Sequence, residues 1–145
     1  MSKLLRRNEK RYEEFGEFLE GFVTDLNNSS EDGWSILVEG PRDVRALREL
    51  GCVGNVVTAS LVVRKGNTIF DGDRKIIILT DLDREGGVLA ARYTKRLAHD
   101  GFKTSLLERK RLKKASHGVF RHIENLSRFA ETVPGAPWEA APPNP

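Results

Sequence analysis

Residues 75–81, KIIILTD, constrain the fold more than any other stretch of the chain. Three isoleucines and a leucine follow one another with no polar residue between them. A strand with one wet face would alternate, so this run reads as a strand buried on both faces, as in a parallel sheet covered by helices. Parallel strands need long crossover connections, and the flanking sequence supplies them. WSILVEG, 34–40, is a second apolar run that ends at Glu39-Gly40. PRDVRALRELG follows, with Pro41 suited to a first helical turn, a stripe of Val44, Leu47 and Leu50, and Gly51 suited to a C-terminal cap. NVVTAS reads as another strand, GVLAARYTKRLAHDG as an amphipathic helix with Val88, Leu89, Ala91, Arg92, Leu97 and Ala98 arranged around it, and FKTSLLE as a fourth strand. Residues 61–74 are ambiguous, with turns suggested at Gly66-Asn67 and Asp71-Gly72-Asp73.

Helices are expected at both ends of this alternation. Leu4, Tyr12, Phe15, Leu19, Phe22 and Leu26, widened by Leu5, Phe18 and Val23, recur at helical spacing over 4–26, and NNSSEDG, 27–33, reads as a loop that ends the helix. A last helix is expected after Ser116 as N-cap, through Val119, Phe120, Ile123, Leu126 and Phe129. The chain thus divides into an N-terminal helix and loop, 1–33, an α/β domain, 34–130, and a Pro/Ala-rich tail, 131–145, expected to be disordered, with Trp138 as a docking residue.

Composition narrows the class. With 145 residues, 39% apolar and 31% charged, the chain is expected to be one globular domain. No apolar run is long enough to span a bilayer, and MSKLLRRNEKR lacks a secretory signal core, which points to the cytoplasm and away from membranes. The lone Cys52 forms no internal disulfide and reads as a small buried side chain. A net charge of +3 says little about partners, but residues 109–114, RKRLKK, hold five positive charges and no negative one. Such a block is either a solvated face or a phosphate attractor.

The acidic residues raise the sharper question. In open parallel sheets ligands gather beyond the carboxyl ends of the strands, where Glu39 and Asp81 fall. Asp81 and Asp83 are two apart, so in extended chain they share a face, about 6.5 Å apart at roughly 3.3 Å rise per residue, with Leu82 turned inward. Glu39 joins them only if its strand lies beside that of Asp81. Two readings of DLDREGG stand: a strand-to-helix turn with Asp83 capping the next helix, or carboxylates gathered to hold a cation. Clustered carboxylates either keep protons or take a cation, and all-oxygen ligation suits Mg²⁺ or Mn²⁺ rather than zinc. His99, His117 and His122 show no zinc-ligand spacing and read as surface or edge residues. Neither a phosphate-binding P-loop nor a Ser/His/Asp arrangement stands out.

LVEGPRDV, 37–44, followed by ILTDLDREG, 78–86, resembles the Toprim domain of type IA and type II topoisomerases, bacterial-type primases, OLD-family nucleases and the ribonuclease that matures 5S ribosomal RNA. The resemblance covers roughly residues 34–125 and looks like a small stand-alone archaeal-type member. TDLDREG is close to the type IA topoisomerase form, with Leu82 where proline is usual; EGPRDV is close to the ribonuclease and primase form, with Arg42 where lysine is frequent. The resemblance implies a Rossmann-like, four-stranded parallel sheet flanked by helices, Mg²⁺ (with Mn²⁺ as substitute) on Glu39, Asp81 and Asp83, and the same acids as catalytic groups. Arg42 and Arg84 lie nearby in sequence and, with Lys113 and Lys114 of the basic block, are the expected substrate contacts.

Three functions are expected in turn. The first is metal-assisted cleavage of nucleic-acid phosphodiesters, RNA before DNA. The second is a non-catalytic nucleic-acid-binding subunit of a larger processing complex. The third is an interaction module whose N-terminal helix meets a protein partner or a second copy. Strand passage is not expected, because Tyr12 and Tyr93 lie on core-packing helices and no second domain is present.

Overall fold

The computed structural model describes residues 3–66, 70 and 73–132. Helix α1 (Lys3–Glu31) precedes β1 (Trp34–Val38), α2 (Pro41–Glu49), β2 (Val56–Thr58), α3 (Ala59–Lys65), β3 (Lys75–Ile78), α4 (Arg84–His99), β4 (Lys103–Ser105), α5 (Leu107–Ser116) and a 3₁₀ segment (Ile123–Thr132). The four strands form one parallel sheet in the order β2-β1-β3-β4, with Ile36 opposite both Val56 and Ile77, and Ile77 opposite Ser105. The fold is the four-stranded, helix-flanked α/β arrangement with an added N-terminal helix that the sequence implies.

Both apolar runs serve two cores at once. Ile36, Val38, Ile77 and Leu79 point into one cluster; Leu37, Ile76 and Ile78 point into the other. That is the period-two alternation of a strand hidden inside an unbroken apolar run, possible because helices cover both faces. On the first face lie α1 (Phe15, Leu19, Phe22, Val23, Leu26), α2 (Leu47, Leu50), α5 (Leu112) and the 3₁₀ segment (Ile123, Leu126, Phe129). On the second lie α3 and α4, through Ala59, Ala90 and Leu97.

The winding sets where a site can form. The chain runs from β1 outward to β2, then returns past β1 to β3 and β4. The connections from β1 therefore diverge, and the topological switch point, where such sheets bind ligands, lies at the carboxyl ends of the adjacent strands β1 and β3.

Several boundaries differ from expectation. Helix α1 absorbs most of the predicted loop 27–33: Asn27 binds Gly51 O and the Val53 N–H at 3.0 Å each, and Ser30 Oγ donates to Leu26 O. Polar residues that looked like turn formers are thus bonded within or from the helix. The chain turns only at Asp32-Gly33, where Gly33 has φ +95°. NVVTAS is a strand for three residues only; Thr58 then caps α3 by accepting from Leu61 N. FKTSLLE likewise yields a short β4, and α5 begins at Leu107. Ser116 is no N-cap. It closes α5, with its Oγ on Lys113 O, and His117 (φ +50°) and Gly118 (φ +75°) turn the chain. Phe120, Ile123, Leu126 and Phe129 are buried as expected, but in a loop and 3₁₀ segment, and Val119 is exposed. In α4 the inward residues are Gly86, Ala90 and Leu97, whereas Val88, Ala91, Arg92 and Ala98 are exposed. The Leu4 and Leu5 side chains, the turn residues Asn67, Asp71 and Gly72, and residues 133–145 with Trp138 lie outside the described residues. Among the described residues, no helix is long and apolar enough to cross a membrane.

Candidate metal centre

The site is built on the loops that leave β1 and β3. Because these strands pair directly, and Leu79 N donates to Leu37 O at 2.8 Å just past them, Glu39 and Asp81 emerge side by side. Glu39 Oε2 accepts the Asp81 N–H at 2.8 Å. Leu82 turns into the core, 5% exposed, and leaves Asp81 and Asp83 outside it. Asp83 also caps α4, its Oδ1 accepting Gly86 N at 2.7 Å. The cap reading of this stretch therefore holds, and it uses one oxygen of Asp83, leaving Oδ2 facing His122. Gly86 has a specific reason: a Cβ there would collide with the carbonyl oxygen of Asp81, so no side chain fits the turn. Thr80, fully buried, ties it further by donating from Oγ1 to Gly86 O at 2.7 Å.

Each acid has one oxygen engaged by a backbone N–H. Glu39 Oε2 takes Asp81 N, Asp81 Oδ1 takes Ile123 N at 2.8 Å, and Asp83 Oδ1 takes Gly86 N. The second oxygens of the two aspartates are met by His122, whose Nδ1 lies 3.3 Å from Asp81 Oδ2 and 3.9 Å from Asp83 Oδ2. Asp81, Asp83 and His122 each offer one ligand atom, all within 4.8 Å of one another. Burial pushes the Glu39 pKa up, and the charges of Asp81 and Asp43 add to the rise against the hydrogen bond from Asp81 N. Asp43, 7% exposed, accepts Gly40 N at 3.1 Å at the start of α2, and its pKa is also raised, chiefly by burial. The hydrogen bond with Asp81 raises the pKa of His122.

Two residues of this centre were not singled out as site residues from sequence. His122 read as an edge histidine, and nothing in its spacing links it to residues 41 positions earlier. Arg109 belongs to the basic block, yet it is 8% exposed and lies beneath the acidic loop. Its Nη2 and Nε donate to Asp81 O at 2.7 and 3.3 Å, and Nη2 also reaches Asp83 O at 3.4 Å. Burial lowers its pKa, opposed by Asp83, Glu39 and Asp81. A signal existed: Arg109, Leu112 and Ser116 are the buried residues of α5, at the three-and-four spacing of one helical face.

The expected substrate contacts separate into two groups. Arg84 and Lys113 line a cleft of about 300 Å³ together with Asp83 and Arg121. Arg42 lines another, of about 350 Å³, with Arg45, Glu49 and Glu124. Arg42 is 87% exposed and only loosely paired with Glu124 at 3.9 Å. Lys114 is exposed on α5 and is not among the residues lining the cleft that contains Lys113. Tyr93 is half-buried against the second core, and burial, then the charge of Glu39, pushes its phenol pKa up. That disfavours a phenolate nucleophile.

Residues 34–115 match the family model described as Toprim domain, which spans all four strands and both acidic loops. The chain therefore belongs to the Toprim domain family, the class that this sheet and these acids define. Within it, the chain is a UPF0292 protein: it is 30% identical over 123 residues to the UPF0292 protein of Archaeoglobus fulgidus, covering 85% of this chain and 97% of that one. The Methanosarcina barkeri UPF0292 protein is 32% identical over 81% of this chain and 83% of its own length. The solved structure of a protein from Aquifex aeolicus superposes with a TM-score of 0.57 at 28% identity, over 72% of this chain and 94% of that chain.

Proposed function

We propose that this Toprim protein cleaves nucleic-acid phosphodiesters, RNA in preference to DNA, by metal-assisted hydrolysis, with Glu39, Asp81 and Asp83 holding Mg²⁺. The observation that carries this reading is the pre-orientation of the acids: each spends one oxygen on a backbone N–H, and the second oxygens of Asp81 and Asp83 converge on His122, where an ion could enter. Single-oxygen carboxylate ligation is what Mg²⁺ takes, since it retains several waters and suits one or two carboxylates plus phosphate. The donor set therefore fits the ion that Toprim domains typically bind. When bound, the ion neutralises charge on a phosphate and activates water.

The chain's own residues supply the rest. The Glu39 pKa is raised by burial and by neighbouring carboxylates, so ligation of an ion by its Oε1 would be coupled to release of a proton. Arg109 holds the carbonyls of residues 81 and 83 and fixes the loop from below. Arg84 and Lys113 line the cleft that contains Asp83 and are suited to contact phosphate there, whereas Arg42 lines a separate cleft that has none of the three acids in its lining.

The test is cleavage of a panel of structured and single-stranded RNA and DNA with Mg²⁺ or Mn²⁺. Cleavage is expected for the wild type and absent in Asp81→Asn and Glu39→Gln. A second reading, a nucleic-acid-binding subunit without turnover, draws on the cleft in which Arg84, Lys113 and Arg121 meet. Salt-dependent binding with no cleavage by any metal-loaded sample would select it and discard the first.

A further inference from the structure

We infer that His122 is a ligand of the cation beside Asp81 and Asp83, so that the centre adds a nitrogen donor to its carboxylates and prefers a first-row transition ion over Mg²⁺. The inference rests on the metal reading of the acidic loop and amends its ligand set.

His122 is held by backbone bonds on both sides. Leu82 N donates to Arg121 O at 2.6 Å, and Ile123 N donates to Asp81 Oδ1 at 2.8 Å. The residues on both sides of His122 are thus bonded to the loop that carries the acids. Ile123 is fully buried in the first core, which fixes the segment from behind. A histidine on a free surface loop would lose backbone freedom on binding a metal; here that part of the ordering is already done by the fold, and only the ring has to settle.

The ring then meets the acids with the correct atom. Nδ1 faces Asp81 Oδ2 and Asp83 Oδ2 at 3.3 and 3.9 Å. Neighbouring ligands of an octahedral ion with bonds near 2.1 Å are about 3 Å apart, and opposite ones about 4.2 Å. Both separations from Nδ1 fall within that range, and the three ligand atoms all lie within 4.8 Å of one another, around a common point that one ion could occupy. In the metal-free protein the same placement is an ion pair and hydrogen bond from His122 to the two carboxylates; an entering cation would take the place of the proton on Nδ1.

Donor chemistry turns the geometry into selectivity. Carboxylate, carbonyl and water oxygens suit Mg²⁺ and Mn²⁺ alike, whereas imidazole suits iron, nickel, copper and zinc, and affinity rises along the first-row divalent series from Mn²⁺. A nitrogen among carboxylates therefore moves preference away from Mg²⁺ along that series, and Mn²⁺, whose oxygen preference is nearest that of Mg²⁺, is the stringent paramagnetic probe. His122 is 47% exposed, so the ring can adjust as an ion enters.

The experiment uses the full chain loaded with one equivalent of Mn²⁺. Pulsed electron paramagnetic resonance is expected to show ¹⁴N modulation from a directly bound imidazole. His122→Ala should abolish that modulation and weaken Mn²⁺ binding in calorimetry by about tenfold, with Mg²⁺ affinity changed by less than about threefold. Mn²⁺ binding that is lost in Asp81→Asn but carries no ¹⁴N signal overturns the inference and leaves the carboxylate site intact. A ¹⁴N signal that survives in His122→Ala assigns the nitrogen to another residue and also overturns it. No Mn²⁺ binding at all removes both this inference and the metal reading beneath it.

Discussion

Glu39 and Asp81, 42 positions apart, are joined by a single hydrogen bond of 2.8 Å from the Asp81 N–H to Glu39 Oε2. The bond exists because β1 and β3 are neighbours in the sheet, and it makes one acid the anchor of the loop that carries the others. The consequences can be checked residue by residue.

Gly86→Ala should be costly and Gly87→Ala should not. A methyl at 86 would collide with the backbone carbonyl of Asp81, which has no side-chain freedom to move aside. At 87 the nearest atom is Arg109 Nη2 at 3.7 Å, an ordinary contact. Chemical denaturation is expected to show a loss of about 2–3 kcal/mol for Gly86→Ala and a change within about 0.5 kcal/mol for Gly87→Ala. Equal effects at the two positions would contradict the close-approach account of this turn.

Arg109→Met should destabilise the protein by roughly 2–4 kcal/mol, because it strips a charged donor from two carbonyls and leaves the acids without their buried counter-charge. Mg²⁺ should restore part of that loss by occupying the same acids. A variant as stable as the wild type would show that Arg109 is replaceable packing.

His122 gives the centre a pH dependence of definite sign. Its hydrogen bond with Asp81 raises its pKa above the ordinary value of 6.5. Its contribution to stability is therefore full below that value and lost as pH rises through the folded-state pKa. Imidazole proton NMR of the metal-free protein should report the raised value, and Asp81→Asn should bring it back toward the ordinary one. Unchanged titration in Asp81→Asn would detach the histidine from the cluster.

Cys52 should be inert. Burial pushes its thiol pKa up to about 12, against a small lowering by Arg48, and the side chain is 2% exposed. At pH 8 roughly one thiol in ten thousand is ionised. Ellman's reagent should react promptly in denaturant and negligibly with the native protein. Rapid native labelling would mean that the first core opens near the end of α2.

Lys113 and Lys114 are adjacent in sequence, but only Lys113 lines the cleft beside Asp83. Lys113→Gln should lower RNA affinity and reduce the slope of log K against log salt by about 0.7, the value for one single-strand phosphate contact. Lys114→Gln should change the slope little. The reverse pattern would move the phosphate path off this cleft.

The features legible along the chain are local. The apolar runs at 34–38 and 75–79 name the strands that are buried on both faces. Pro41 and Gly51 bracket α2, and Asp83 before Gly86 is readable as a cap, because each signal depends on residues within a turn or two of one another. Glu39 and Asp81 could likewise be put at strand ends, on the edge where parallel sheets bind ligands. Tertiary structure alone decided that β1 lies against β3, so that the two acids meet. It also turned one arginine of a basic run inward beneath the loop and brought His122 back across the chain to Asp81. Those choices follow from which apolar faces pack together and which buried polar groups must find partners, and such partners are set by the closed core rather than by spacing along the chain.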